Sequence, residues 1–256
     1  MSRNSRKTHR NSRNNHNTNS GADTTKPSRV NKGRREVVEA EDEFDFEMLY
    51  HPPIRGMNAK QQEYINAINE SELIFGTGAA GTGKTWIATA MAADMLRDKH
   101  IDRIILTRPM VEAGEKMGAL PGEKEDKFAP YVEPFLDVFY ERLGKSFTHY
   151  LIKRGAIVGY PIAFMRSKTF KNAWIICDEA QNTTPSQQEL LLTRIGNGTK
   201  TIICGDRKQK DISTQSGLVD AANRLKHLSE VRVIEFGIED CVRSGLVKKI
   251  LRCYDS

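Results

Sequence analysis

The chain has 256 residues, 38% apolar and 28% charged, with a formal net charge of +6. That length allows one large domain or two small ones, and no run reaches the roughly 18 apolar residues of a membrane span. The opening MSRNSRKTHRNSRNN has neither the apolar core of a secretory signal nor an amphipathic Arg/Leu transit pattern, and none of the four cysteines stand in C-x-x-C spacing. A zinc site is therefore disfavoured, and a reducing cytoplasm is the expected compartment.

Residues 1–35 carry ten Lys and Arg against one acid, Asp23, which gives +9 and leaves −3 for the other 221 residues. Rich in Asn, Ser, Thr and Arg, this segment buries too little to offset its ordering entropy and is expected to be disordered. It reads either as an RNA- or DNA-binding arm or as a solubilising extension, with no aromatic residue interleaved to stack on bases. Residues 36–47, EVVEAEDEFDFE, hold seven acids and read as a linker. Tail and linker are thus assigned to 1–48 and a folded domain to 49–256.

Asn58 is placed to cap a helix running to about Asn69. Strand-like runs follow at 72–76, 103–107, 155–159, 173–178, 200–204 and 231–235, and helical patterns at 84–98, 131–143, 186–195, 216–227 and 239–253. Apolar strands separated by helices predict an α/β fold, a mostly parallel sheet with helices on both faces. Cys177 and Cys204, inside apolar runs, read as small core residues.

Between the first strand and the helix from 84 stand Gly78, Ala79, Ala80, Gly81, Thr82, Gly83, Lys84 and Thr85, which fit G-x-x-x-x-G-K-[ST]. Glycines let the backbone wrap with its amides inward, and the helix start adds its positive dipole end. Lys84 would reach the β- and γ-phosphates of a triphosphate, and Thr85 would offer its hydroxyl to Mg²⁺. A glycine loop that binds nothing is the bland alternative, but the strand before and the helix WIATAMAADML after are the setting the motif requires. Further on, AWIICD ends in Asp178, followed by Glu179. An acid at the carboxyl end of a buried strand sits beside such a loop, so Asp178 is assigned to Mg²⁺ and Glu179 to orienting and deprotonating the attacking water. KTIICGD leads into the turn GDRKQKD, where Gln209 could contact the γ-phosphate or belong to an ordinary charged turn.

GAAGTGKT, TRPMVEAGEKMGALPG (107–122), PIAFMRSKTF (161–170), DEAQNTTPSQQ (178–188), LLTRIGNGTKTIICGD (191–206) and the Val242-Arg243 helix follow the order found in PhoH-like proteins. Over roughly 50–254 the chain resembles that family, whose core is similar to the ATP-binding core of superfamily 1 helicases; its compact size resembles the PhoH-like proteins of tailed bacteriophages. The resemblance implies a P-loop NTPase of the RecA-like type with ATP and Mg²⁺ as cofactors. It further implies assembly into a homo-oligomeric, hexameric ring and action on single-stranded RNA or DNA, in the cytoplasm (the host's, if phage-encoded). It matches Gln61 to the glutamine that reads adenine, with Gln62 as the alternative if the register slips. It places Arg243 as an arginine that could act in trans on a neighbour's ATP, with Arg194 and Arg166 as competitors. Arg108 could bind a nucleic-acid phosphate, and 109–130 could face a pore or cover the ATP edge. Two departures stand out: Ala79 replaces the family's usual proline, and Arg166-Ser167-Lys168-Thr169 replaces Arg-Gly-Arg-Thr. Superfamily 1 helicases also carry two RecA-like domains where this chain has one, so unwinding would require assembly.

Three readings follow: an ATPase driving movement on RNA, an ATP-dependent switch that binds a protein partner without translocating, and a P-loop kinase. Glu179 and the lack of an Arg-rich lid helix count against the kinase, and a net −3 on the body counts against broad nucleic-acid binding.

Overall fold

The computed structural model describes residues 51–109 and 129–254. The tail and linker expected over 1–48, and most of the loop over 109–130, lie outside the described residues. Among the described residues, six strands form one sheet: β1 (Leu73–Gly78), β2 (Arg103–Thr107), β3 (Ile157–Gly159), β4 (Ala173–Cys177), β5 (Lys200–Gly205) and β6 (Val231–Phe236). Their spatial order is β3-β2-β4-β5-β1-β6, and every pair is parallel.

The strands are apolar without interruption because both faces are covered. Ile74, Ile104, Ile176 and Ile202 belong to one core cluster, with Tyr64 and Ile68 of helix α1 (Ala59–Glu70), Ile87 of α2 (Lys84–Arg97), Phe139 of α3 (Leu136–Leu143) and Leu151 of α4 (Lys145–Lys153). Their strand neighbours Phe75, Ile105, Ile175 and Ile203 face the other way, against Ile162 and Met165, Leu191 of α5 (Pro185–Leu192) and Leu218 of α6 (Gly217–Leu225). Each such buried side chain stabilises the fold by about 1.5–3 kcal/mol relative to exposure. The doubly covered parallel sheet expected from the sequence is the one observed.

Local signals set the helix starts. Asn58 Oδ1 accepts from Gln61 N at 2.8 Å and caps α1. Thr184 and Gln187 form a reciprocal capping box at α5, with Pro185 in its first turn. Two expectations are corrected. The pattern over 131–143 is interrupted by a 3₁₀ turn at Glu133–Phe135 containing Pro134, and a further helix, α4, follows Gly144 without having been anticipated. The helix expected from 239 begins only at Gly245, as α7 (Gly245–Tyr254), so Val242 and Arg243 lie in a non-helical arm. The arm's amides are committed elsewhere: Gly237 N donates to Asp240 Oδ2 at 2.8 Å, Cys241 N to Ile238 O at 3.1 Å and Val242 N to Gly81 O at 2.9 Å. No described helix is long and apolar enough to cross a membrane.

Candidate nucleotide-binding site

β1 runs between β5 and β6 and delivers the chain into the glycine loop. Gly78 takes φ 114°, and a Cβ there would stand 2.0 Å from Phe236 O. Only glycine lets β1 end this close to β6. Gly81 at φ 75° and Gly83 at φ 84° complete the bend into α2, whose first residue is Lys84. The first amides of a helix have no partner within it, so the loop and helix start form an anion-binding end.

Lys84 is buried, 8% exposed. Its Nζ donates to Gly78 O at 2.8 Å, Ala79 O at 2.7 Å and Thr82 Oγ1 at 3.0 Å, so the loop closes around the ammonium. Burial pushes its pKa below the ordinary 10.5, while Cys204, Asp206, Asp178 and Glu179 pull it back up. α2 then packs over β5 and β4, which carries Thr85 to the end of β4. There Thr85 Oγ1 donates to Asp178 Oδ1 at 2.8 Å. Burial raises the Asp178 carboxyl above 3.8, and the Thr85 hydrogen bond opposes that rise. A hydroxyl and a carboxylate oxygen suit Mg²⁺, which takes one or two protein oxygens and draws its other ligands from phosphate and water. Among the described residues no cluster of three or more His, Cys, Asp and Glu forms a closed metal cage.

A cleft of about 240 Å³ lies over the loop. It is lined by Ala80 through Trp86, by Asp178 and Glu179 after β4, by Gly205, Asp206 and Gln209 after β5, and by Arg243 from the arm. The structure thus brings Lys84, Thr85, Asp178, Glu179, Gln209 and Arg243 to one place. Arg243 stands against its own chain's loop: a Cβ on Gly81 would lie 2.8 Å from Arg243 Cδ. Within the single chain this contact is in cis. Arg194 donates to Arg166 O at 2.6 Å and to Lys168 O at 3.4 Å, which shapes the 166–168 turn away from the cleft. Arg108 lies near enough to Asp178 for its charge to favour the carboxylate.

Gln61 does not line the cleft. It is 3% exposed, donates to Thr82 O at 2.9 Å and accepts from Met57 N at 2.8 Å, which makes it a buttress behind the loop. Gln62 accepts from Gly56 N at 3.0 Å and donates to Asn66 Oδ1 at 3.0 Å. Gly78 and Ala79 form the loop's inner turn, where their carbonyls hold Lys84. Sequence reasoning overlooked Trp86, Asp206 and Gln181. The first two stand directly after the GKT and Cys204-Gly205 stretches already singled out. Gln181 follows the acidic pair, and only the fold reveals what it touches.

A loop of this kind at the carboxyl end of a central parallel strand, with a helix behind it and an acid at the end of a nearby strand, defines a P-loop NTPase of the RecA-like type. Sequence comparison narrows this further. The profile of the family described as "PhoH-like protein" matches residues 53–255, and the chain belongs to that family. It is 46% identical over 222 residues to a PhoH-like protein of Bacillus subtilis (strain 168), covering 82% of this chain and 69% of the relative. It is also 46% identical over 206 residues to protein PhoH of Escherichia coli (strain K12), covering 79% of this chain and 58% of the relative, so the match spans little more than half of that protein. Similar solved structures include the Pif1 helicase from Candida albicans, with TM-score 0.38 and 16% identity over 72% of this chain and 40% of the other. The large terminase of a thermophilic bacteriophage gives TM-score 0.47 and 11% identity over 77% of this chain and 50% of the other.

Proposed function

We propose that the protein binds ATP with Mg²⁺ and hydrolyses it, as a homo-oligomeric ring acting on RNA or other single-stranded nucleic acid in the cytoplasm. The observation that carries the ATPase reading is the Thr85–Asp178 contact of 2.8 Å, with Glu179 opening into the same cleft. Bound Mg²⁺ would supply charge neutralisation across the β- and γ-phosphate oxygens. Lys84 and the loop amides hold the phosphates. Glu179 orients the attacking water and accepts its proton as the water oxygen bonds to the γ-phosphorus and the bond from that phosphorus to the β–γ bridging oxygen breaks, releasing ADP. Gln209 and Arg243 meet the charge that shifts onto the phosphate oxygens. The nucleic-acid and ring components rest on the resemblance to superfamily 1 helicases.

Steady-state ATP hydrolysis with Mg²⁺, with and without single-stranded RNA, tests this, using Glu179→Gln as the blank. The expected result is hydrolysis that rises with RNA and falls about 10²- to 10⁴-fold in the variant. The −3 charge of residues 36–256 favours a second reading, an ATP-dependent switch on a protein partner. Hydrolysis indifferent to RNA would select that switch.

A further inference from the structure

We infer that Gln181 is a positioning residue that holds the Glu179 carboxylate and the loop after β5 as one unit. The inference rests on the ATPase reading above and extends it to a residue outside the cleft.

Gln181 sits in the 3₁₀ turn Ala180–Asn182 and is 1% exposed. Its Nε2 donates to Glu179 Oε2 at 2.6 Å and to Gln209 O at 3.2 Å, while its Oε1 accepts from Asp206 N at 3.0 Å. The chemistry fixes which way the amide points. A backbone N–H can only donate, so Oε1 must face Asp206, and the NH₂ is left for the carboxylate and the carbonyl. The bond to Glu179 is charge-assisted, the stronger kind. One buried amide therefore links the carboxylate assigned to water with both ends of the turn that carries Gln209.

Three neighbouring features support this. Gly205 has no side chain where one would intrude: a Cβ there would lie 2.6 Å from Gln181 Oε1 and 2.7 Å from Leu218 Cδ2. Asn182 repeats the arrangement further along, donating to Asp211 Oδ2 at 2.9 Å and accepting from Asp211 N at 2.8 Å. Glu179 itself takes φ 52°, which a non-glycine residue rarely adopts; the pinned residues after it hold the turn in that state. A shift of the 206–211 turn therefore pulls on Glu179 through Gln181. Contact between Gln209 and the terminal phosphate would set the carboxylate in place.

The test uses the full chain with Gln181→Glu, Gln181→Met, Glu179→Gln and the double variant of Glu179→Gln with Gln181→Glu. Readouts are kcat and KM for ATP with Mg²⁺, and the thermal midpoint. Gln181→Glu keeps an acceptor for Asp206 N but buries a second carboxyl against Glu179 in place of the amide donor. Its kcat is expected to fall about 10- to 100-fold, the cost of a misplaced reacting group, with KM close to wild type and a lower midpoint. Gln181→Met should lose a similar factor in kcat with a lower midpoint, because Asp206 N also loses its partner. In the Glu179→Gln background, adding Gln181→Glu should change the residual rate by less than about twofold, since effects that act through one group do not add. Wild-type kcat in either single variant overturns the inference, as does a full additive loss in the double variant. Glu179→Gln hydrolysing like wild type would overturn the role of Glu179 and the inference with it, whereas a wild-type chain without Mg²⁺-dependent hydrolysis would overturn the ATPase reading itself.

Discussion

Asp178 carries a measurable conflict. Burial raises its carboxyl above the ordinary 3.8, even though Thr85 donates to it. An acid raised in the folded state ionises first in the unfolded chain, so stability declines as pH climbs from the unfolded value to the folded one. Asp178→Asn removes that decline. The variant should unfold about 2–4 °C above wild type at neutral pH, lose Mg²⁺-dependent hydrolysis, and show a smaller gap in calorimetry below pH 3.8. Beneath the loop, burial pushes the Cys204 thiol up to about 12 and the Cys177 thiol well above its usual value. Both are expected to resist alkylation of the native protein, while the exposed Cys253 reacts first; peptide mapping would show the order. At this scale the sequence was informative wherever a residue acts through its own backbone setting. Gly78, Lys84 and Thr85 could be read in a row, as could Asp178 at a strand end. Gln181 could not, because its partners Asp206 and Gln209 come 25 and 28 residues later in the chain. Gln61 was matched through the family resemblance to the glutamine that reads adenine, but its burial against Thr82 was not legible.

Helix α4 depends on a single glycine. Gly144 takes φ 78° and ψ 153°, a combination open almost only to glycine, and joins α3 to α4. Gly144→Ala should cost about 1–3 kcal/mol, read as a thermal midpoint lower by about 2–4 °C for each kcal/mol in a domain of this size. The hairpin is fastened to α2 at two points: Trp86 Nε1 donates to Glu141 Oε2 at 3.2 Å, and Arg142 pairs with Asp94. Because Trp86 follows Thr85 directly, loosening this hairpin should also weaken nucleotide binding, which the same variant tests by titration with a fluorescent ATP analogue. The sequence signal for α4 was faint: KSFTHYLIK mixes aromatic, branched and polar residues, and only Thr148 and Leu151 are buried. The strands were clear because two covered faces demand unbroken apolar runs. The late start of α7 was hidden because Val242 N bonds Gly81 O, in a loop far earlier in the sequence.

For the whole molecule, charge is divided between +9 on residues 1–35 and −3 on the remainder. If the first segment is the nucleic-acid arm, its removal should weaken binding to single-stranded RNA and flatten the salt dependence, with ATP hydrolysis in the absence of RNA unchanged. Fluorescence anisotropy across a salt series would measure both. Fold class was legible from the alternation of elements, but strand order was not, because it depends on which crossover spans which neighbour. That order also has a consequence for synthesis. Among the described residues β1 pairs only with β5 and β6, which lie at 200–205 and 231–236. The phosphate loop leaves the ribosome well before β5 and β6, so its strand has no described sheet partner until those strands have been made. Such long-range pairing is slow to form, so a nascent chain stalled before β5 would carry the complete loop motif without a sheet to hold it. The ability to retain ATP would then arise only once β5 and β6 have been made.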